Sequence, residues 1–372
     1  MHVLATAPSG DPRGVCEAIE RFGYHNLSRA HGGKGGQHPS AGQWLKVAGG
    51  EKAKVLAAAV RLCLPRVGAG GLQILEVGSY CGYSAIRLAI AAGCLAQVLA
   101  LEADPGYAIV ARCIIAHAGL GQRVRVRMGH SEDVLTHLAG LLDSREGLFD
   151  LVFFDQRGSR YLADLMVLEQ GGLLAPAAVL VADNVLKPGA PIFIWHVIHA
   201  RPFTQNPDRC LFFPVAGRYA TQILPVEEFA MPGSEDWLSI SIGCPGRPWQ
   251  DGKIPTVPGE LRRLEWEGDK IRWLAERQLG VNFQRWANFA AKMKKGLADV
   301  GITPQTLMSS EEDWHTLETT LRQRVSCNMK GRSASIECFG MKTSSDPAGF
   351  QATEELVPTS SGQMSQEFDG VV

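Results

Sequence analysis

The chain has 372 residues, of which 45% are hydrophobic, and its formal net charge is −1. A chain of this length and composition can bury a large core in one domain, or in one domain plus an extension. The near-neutral charge excludes bulk electrostatic attraction to nucleic acid or to an anionic membrane surface.

Cysteine usage and the N-terminal sequence indicate the compartment. The nine cysteines are scattered, odd in number and never arranged as C-x-x-C, which is typical of free thiols in a reducing environment. No basic segment precedes an apolar one at the N-terminus, and no uninterrupted apolar run of about 18 residues occurs. We therefore expect a cytoplasmic protein.

The first part of the chain carries weak structural signals. Residues 1–13 are predicted to form a loose leader, and the main domain is predicted to run from 14 to 248. A short helix is expected over Val15–Phe22, and the Gly- and His-rich stretch Ser28–Gln43 is expected to be a loop. Helical periodicity over Gly50–Leu64 then leads into the first strand.

That first strand and the turn after it contain the clearest functional signal. Leu72–Val77 is a short apolar run bounded by glycines, followed by Gly78, Gly82 and a helical stretch that Ser84 opens. Strand, glycine-containing turn and helix are typical of the entry unit of a nucleotide-binding α/β sheet. The G-x-G-x-x-G fingerprint of a pyrophosphate site is absent, and the carboxylate of Glu76 would repel phosphate.

A carboxylate in this place favours a cationic ligand with hydroxyl groups, and S-adenosylmethionine fits because its sulfonium and amino groups are positive. The alternative is an ordinary strand-to-helix turn that happens to contain a glutamate.

Strands and helices alternate from here on, which predicts an α/β fold with a parallel sheet and helices on both faces. The further predicted strands are Gln97–Leu101, Val124–Arg127, Phe149–Phe154 and Ala177–Ala182. The predicted helices between them are Pro105–Ala118, Ser131–Leu141 and Tyr161–Gln170.

Four of the strands end in acidic or polar residues, and ligands of open α/β sheets bind at those ends. Glu102 ends the second strand, where an acid typically accepts hydrogen bonds from ribose hydroxyls. Asp155, Asp183 and Asn184 offer oxygen ligands that suit a hard cation such as Mg²⁺. Asp183 and Asn184 also fit an ordinary turn after a strand.

Two segments together resemble a known family. Leu75–Ala85 (Leu-Glu-Val-Gly-Ser-Tyr-Cys-Gly-Tyr-Ser-Ala) and Ala182–Gly189 (Ala-Asp-Asn-Val-Leu-Lys-Pro-Gly) are similar to signature segments of the catechol O-methyltransferase family. Trp44–Gly49 and Arg160–Leu162 support the resemblance, which covers roughly residues 10–246. It implies a Rossmann-like, seven-stranded methyltransferase fold whose last hairpin is antiparallel, and S-adenosyl-L-methionine and Mg²⁺ as cofactors.

The resemblance also implies roles for individual residues. Asp155, Asp183 and Asn184 fall on its Mg²⁺ ligands. Trp44 and Pro188 fall where the family walls the catechol ring, Asn184 would also face the substrate, and Glu228 or its neighbour Glu227 would hold a substrate hydroxyl. The positions that match its S-adenosylmethionine contacts are Lys46, Val47, Ala48, Glu76, Gly78, Tyr80, Ser84, Glu102, Ala103, Ser131, Glu132 and Asp155.

One departure concerns catalysis. Where the family has His, Trp and a catalytic Lys after the metal-binding aspartate, this chain has Gln156, Arg157 and Gly158. Lys46 or Lys187 is a candidate replacement base, because a buried lysine readily loses its proton near neutral pH. The alternative is that both lysines are surface charges.

The rest of the chain differs in composition. A helical extension is predicted over 249–325, packed on the main domain rather than on RNA or a partner protein, and a disordered tail over 326–372.

The leading hypothesis is a monomeric, Mg²⁺-assisted O-methyltransferase whose partner is a small catechol-like molecule and not nucleic acid or membrane. One alternative is a homologue that binds the cofactor without transferring methyl, which Gly158 favours. The other is a methyltransferase for an anionic acceptor that Arg157 would pair with.

Overall fold

The structure, a computed structural model, describes residues 2–31, 46–64, 71–141, 148–199, 218–229, 233–243, 256–277, 279, 281, 283–304, 316 and 319. Apart from single residues, the described segments lie between 2 and 304, within one compact unit that spans 1–332.

A seven-stranded sheet forms the centre of this unit, with the strand order β3-β2-β1-β4-β5-β7-β6. Strands β1 to β5 pair in parallel, and β7 joins β5 and β6 in antiparallel register. This arrangement confirms the predicted α/β fold with an antiparallel final hairpin. The strands are β1 Leu72–Val77, β2 Ala96–Glu102, β3 Val124–Met128, β4 Phe149–Phe154, β5 Leu174–Ala182, β6 Tyr219–Glu227 and β7 Glu235–Gly243.

Helices cover both faces of the sheet. One apolar cluster packs α2 to α5 on the first face, and a second packs α6 to α10 on the other. The helices are α1 His2–Thr6, α2 Pro12–His31, α3 Glu51–Cys63, α4 Tyr83–Ala92, α5 Pro105–His117, α6 Ser131–Leu141, α7 Gly158–Gln170, α8 Pro191–His199, α9 Gly259–Glu276 and α10 Phe283–Asp299. Among these helices none is long and apolar enough to cross a bilayer.

The N-terminal segment is more regular than the predicted loose leader. Residues His2–Thr6 are helical, Ala7 is buried in the first cluster, and the Gly10 N–H donates to the His117 carbonyl at 2.7 Å. Helix α2 begins at Pro12, just after Asp11, whose carboxylate accepts hydrogen bonds from two backbone N–H groups. This Asp-Pro start is a recognised helix signal that the periodicity analysis missed.

Helices α9 and α10 pack on the main unit, as predicted for the helical extension. Leu261, Leu264, Met293 and Leu297 are fully buried in the second cluster, together with side chains of α7 and α8. The boundaries at 248 and 325 lie outside the described residues and stay predictions.

Candidate functional site

The turn after β1 lies between the ends of β2 and β4. The Gly78 N–H donates to the Leu101 carbonyl at 3.0 Å, and the Asp155 N–H donates to Val77 at 2.9 Å. Gly78 has φ +98°, and a Cβ on it would lie 2.2 Å from the Asp155 carbonyl oxygen. Only glycine therefore allows the two strand ends to approach this closely.

The same turn fixes the carboxylate of Glu102. Its two oxygens accept hydrogen bonds from the backbone N–H groups of Tyr80, at 2.6 Å, and Asp104, at 2.9 Å. Tyr80 has a left-handed backbone with φ +48°, which belongs to this tight turn. Because each carboxylate oxygen accepts more than one hydrogen bond, Glu102 keeps capacity for ligand hydroxyls.

Glu76 is fully buried at the end of β1, and neither of its oxygens has a well-formed hydrogen bond within the described part of the chain. Burial raises the pKa of this carboxyl to about 7, although the nearby hydroxyls of Ser84 and Ser79 lower it and Glu102 raises it. A buried carboxylate that is poorly hydrogen-bonded costs free energy, so this position suits a ligand that donates hydrogen bonds.

The other residues predicted to contact the cofactor lie around this turn or beside it. Val47 and Ala48 are buried just before α3, and Ala103 is exposed just after β2. Ser131 accepts a hydrogen bond from Gln156 at 3.2 Å, and Glu132 forms an ion pair with Arg160. Their roles stay predictions.

Asp155 and Asp183 extend two neighbouring strands. Phe154 pairs with Ala182 in the parallel register of β4 and β5, and the Asp183 N–H donates to Phe154 at 2.9 Å. Burial raises the pKa of Asp155 to about 7, with Lys52 opposing the rise and Glu76 adding to it. Burial also raises the pKa of Asp183, and Lys52 again opposes the rise while the charge of Asp155 adds to it. The two carboxyl groups thus share one poorly hydrated site.

Lys52, which the sequence analysis missed, supplies a buried cation next to this pair. Its side chain is 2% exposed, and its Nζ lies 2.8 Å from Asp183 Oδ1, 2.6 Å from Glu228 Oε2 and 3.5 Å from Asp236 Oδ2. Burial alone would lower the pKa of Lys52, but the three carboxylates raise it well above its ordinary value.

Two sequence signals were available for these missed residues. Lys52 lies on the apolar face of α3, beside Val55 and Leu56. Asp236 is two residues before Leu238 and four before Ile240 in β7, so its side chain is on the same face of the sheet as theirs. A charge at an apolar position indicates a buried partner, although the sequence does not identify which one.

The amide of Asn184 is oriented by two of the same acids. Its Nδ2 donates to Asp236 Oδ2 at 2.6 Å and to Glu228 Oε1 at 3.2 Å, which leaves Oδ1 as an acceptor. Asp183 Oδ1 accepts from Lys52 and from the Asn184 N–H, so its second oxygen keeps its lone pairs.

These oxygen donors fit a hard cation such as Mg²⁺, whose charge would also offset the raised pKa values of Asp155 and Asp183. Across the described segments no group of three or more His, Cys, Asp and Glu has metal-site spacing. The candidate set has only two carboxylates, and its third member is an amide.

The two candidate bases differ in their surroundings. Lys187 is half-buried, and burial lowers its pKa. Lys46 is exposed, as expected of a surface charge, although partial desolvation lowers its pKa. Lys187 Nζ donates to Ser234 Oγ at 2.7 Å, and its backbone N–H donates to Asp236 at 3.1 Å. Lys46 lies in the field of Asp155, which raises its pKa.

The candidate substrate residues separate into two groups. Glu228 contacts Asn184 and Lys52, whereas the neighbouring Glu227 is exposed and its N–H donates to Glu51 at 2.7 Å. Arg157 is exposed at the start of α7. Trp44 lies outside the described residues.

Gly158, where the family has its catalytic lysine, is closely packed. A Cβ on Gly158 would lie 2.2 Å from the Gly189 carbonyl oxygen and 3.1 Å from the Ala190 Cβ. The loop after β5 therefore fills the space that a side chain at this position would need.

The mostly parallel seven-stranded sheet with its antiparallel final hairpin is the Rossmann-like fold of the methyltransferase class. A family profile described as O-methyltransferase matches residues 51–195. The chain is 35% identical over 192 residues to a probable O-methyltransferase of Mycobacterium tuberculosis, covering 51% of this chain and 72% of that protein. We conclude that the chain belongs to the O-methyltransferase family that includes the catechol O-methyltransferases.

Catechol O-methyltransferases are among its relatives. The identity is 35% to the Bos taurus enzyme and 34% to the Mus musculus enzyme, each over 196 residues and 53% of this chain. The chain spans 63% and 65% of the length of these two relatives, less than two thirds. A solved O-methyltransferase from Bacillus cereus in complex with SAH is 21% identical, with a TM-score of 0.40, covering 61% of this chain and 90% of that one.

Proposed function

We propose that this protein transfers the methyl group of S-adenosylmethionine to a hydroxyl of a catechol-like acceptor with the help of Mg²⁺. The observation that carries the proposal is the convergence of Asp155, Asp183 and Asn184 at the ends of two paired strands, beside Glu228. The catechol O-methyltransferase relatives support the choice of acceptor class.

The turn after β1 is the proposed cofactor site. S-adenosylmethionine, when bound, supplies an electrophilic methyl group on a positively charged sulfur. Glu76 accepts hydrogen bonds from the donor groups of the ligand, which gives its two buried oxygens the partners that they lack in the described protein. Glu102, held by the Tyr80 and Asp104 N–H groups, accepts hydrogen bonds from the ribose hydroxyls.

Asp155, Asp183 and Asn184 are the proposed Mg²⁺ ligands. The cation, when bound, lowers the pKa of a coordinated hydroxyl, and a phenol such as that of tyrosine starts near a pKa of ~10. Lys52 neutralises part of the charge of Asp183, Glu228 and Asp236, and thereby lets these acids lie close together.

Glu228 is the proposed acceptor for the second hydroxyl of the substrate, since it lies within hydrogen-bond distance of Asn184. Lys187 is the stronger candidate base, because it is half-buried and burial lowers its pKa, which makes its neutral form more accessible. Lys46 is exposed and is the weaker candidate. Loss of a positioned base typically costs about 10²–10⁴-fold in rate, so even a protein without one would be a slow enzyme.

A second candidate function is cofactor binding without methyl transfer. The packing of Gly158 against Gly189 favours it, because this backbone leaves no room for a catalytic side chain at position 158. A location in the cytoplasm and a monomeric state stay predictions.

Methyl transfer from radiolabelled S-adenosylmethionine to catechol, with Mg²⁺ or with EDTA, separates the two candidates. We expect methyl transfer in the presence of Mg²⁺, and we expect EDTA and Asp155→Asn each to lower its rate by about a hundredfold. Metal assistance lowers the barrier by several kcal/mol, and each ~1.4 kcal/mol changes the rate tenfold. The exposed Asp133→Asn variant is the control and should keep full activity. Calorimetric binding of S-adenosylmethionine without transfer under either condition would establish the second candidate instead.

A further inference from the structure

Helix α9 lies directly against the loop that follows the proposed metal ligands. A Cβ on Gly268 would lie 2.4 Å from the Pro188 carbonyl oxygen, so the helix backbone touches this loop. One residue further on, Asp269 accepts a hydrogen bond from Ser159 of α7 at 3.0 Å. Pro188 is the residue proposed to wall the acceptor, and α9 is outside the segment 51–195 that the family profile matches.

Arg272 is one helical turn after Gly268 and therefore on the same face of α9. Its Nε donates to Glu276 Oε1 at 2.8 Å. Its Nη1 is buried and has no hydrogen-bond partner within the described segments, although the side chain as a whole is 26% exposed. A buried guanidinium N–H without a partner costs free energy, which an anionic ligand group would recover.

The charge of Arg272 also affects the pKa values of two groups, Lys46 and Tyr161. The charge of Glu276 raises the pKa of Lys46, and the charge of Arg272 lowers it. The charge of Asp155 raises the same pKa. Arg272 also lowers the pKa of Tyr161, whose hydroxyl donates to the Asp183 carbonyl at 3.1 Å. The contact of Gly268 with Pro188 places this face of α9 beside the loop that follows the proposed metal ligands.

We propose that Arg272 of helix α9 recognises the acceptor and selects catechols that carry a carboxylate, such as a dihydroxybenzoate, over neutral ones. This inference rests on the proposed function and names its substrate class. The planar guanidinium matches a carboxylate through paired N–H donors, which a lysine would not reproduce. The exposed Arg157 competes for the same role, and the experiment therefore includes it.

The test measures binding of 3,4-dihydroxybenzoate and of neutral 4-methylcatechol to the full chain, loaded with S-adenosylhomocysteine and Mg²⁺, by calorimetry. Methylation of both acceptors with S-adenosylmethionine is measured in parallel. The variants are Arg272→Gln, Arg272→Lys and Arg157→Gln, and the control is Arg262→Gln at an exposed position of the same helix. S-adenosylhomocysteine binding to each variant reports an intact cofactor site.

We expect Arg272→Gln to weaken dihydroxybenzoate binding at least tenfold and to change 4-methylcatechol binding less than about twofold. Arg272→Lys should restore only part of the lost dihydroxybenzoate binding. Arg262→Gln should match the wild type. If carboxylate-dependent binding is present and lost in Arg272→Gln but no methyl is transferred, this inference stands and the proposed function fails. The inference is overturned if Arg272→Gln weakens binding of both acceptors equally, or if the wild type binds both equally well. It is also overturned if only Arg157→Gln removes the preference for dihydroxybenzoate.

Discussion

Lys52 is the residue whose charge holds the candidate site together. Its ammonium group is the positive partner shared by Asp183, Glu228 and Asp236, all within 3.5 Å. Removing one partner of a buried ionic cluster leaves uncompensated charge, which costs far more than the loss of a surface ion pair.

We predict that Lys52→Met lowers the free energy of unfolding by about 3–5 kcal/mol at pH 8, because the buried Asp183 and Asp236 and the half-buried Glu228 lose their cation. Urea denaturation followed by circular dichroism measures the change. Lys54→Met, two residues along the same helix and exposed, is the control and should change stability by less than about 0.5 kcal/mol. Equal effects of the two substitutions would show that the cluster contributes nothing special.

Glu76 makes the stability of the ligand-free protein depend on pH. Burial raises its pKa from 4.5 to about 7, so the folded state holds this proton more tightly than the unfolded state. Ionised Glu76 therefore destabilises the fold: the cost is absent below pH 4.5, grows as the pH rises, and is complete above about pH 7.

Glu76→Gln removes this titration. We predict that the stability of the variant relative to the wild type rises by on the order of 3 kcal/mol between pH 4.5 and 8, while its affinity for S-adenosylmethionine falls. Urea denaturation across this pH range and calorimetric titration of the cofactor are the measurements. Glu17→Gln at an exposed position of α2 is the control, and a flat difference for both variants would contradict the raised pKa.

The start of α7 and the loop after β5 depend on each other. Gly158 is the first residue of α7, and the Gly189 carbonyl is so close that even a methyl group requires backbone movement. The departure from the family at position 158 therefore includes the position of the neighbouring backbone as well as the loss of the lysine side chain.

We predict that Gly158→Ala destabilises the protein by about 1–3 kcal/mol, as overpacking against backbone does, and that Gly158→Lys costs more without increasing methyl transfer. Gly259→Ala is the matched control, since Gly259 is also the first residue of a helix and has no atom near its Cβ position. Thermal unfolding and the transfer assay measure both effects. An active, stable Gly158→Lys variant would mean that the loop after β5 moves at little energetic cost.

The C-terminal helices complete the second apolar cluster. Leu261, Leu264, Met293 and Leu297 are fully buried there, and burial of each such side chain is worth roughly 1.5–3 kcal/mol. The helices are therefore part of the core and not an appendage.

We predict that a chain ending at 248 loses more than about 5 kcal/mol of stability or aggregates, because the cluster face of α7 and α8 becomes exposed. A chain ending at 325, which lacks only the predicted disordered tail, should unfold like the full protein. Urea denaturation and size-exclusion chromatography compare the three chains. A stable, monomeric 248-residue chain would contradict the integral role of α9 and α10.

Much of the fold was predictable because short-range patterns specify it. The apolar runs at Leu72–Val77 and Phe149–Phe154 were predicted with their observed bounds, and helical spacing identified the helices between the strands. Polar residues directly after the apolar runs located the candidate site, since parallel strands present their carboxyl ends at one edge of the sheet.

The alternation of strands and helices, the polar strand ends and, through the signature segments, the family can thus all be read from the order of the residues. The contacts between distant residues emerge only from the folded chain: Lys52 with Asp236, Gly158 with Gly189, and Gly268 of α9 with Pro188. The physical reason is that hydrophobic periodicity specifies which face of an element is buried, whereas the partner on that face depends on how all the elements pack together.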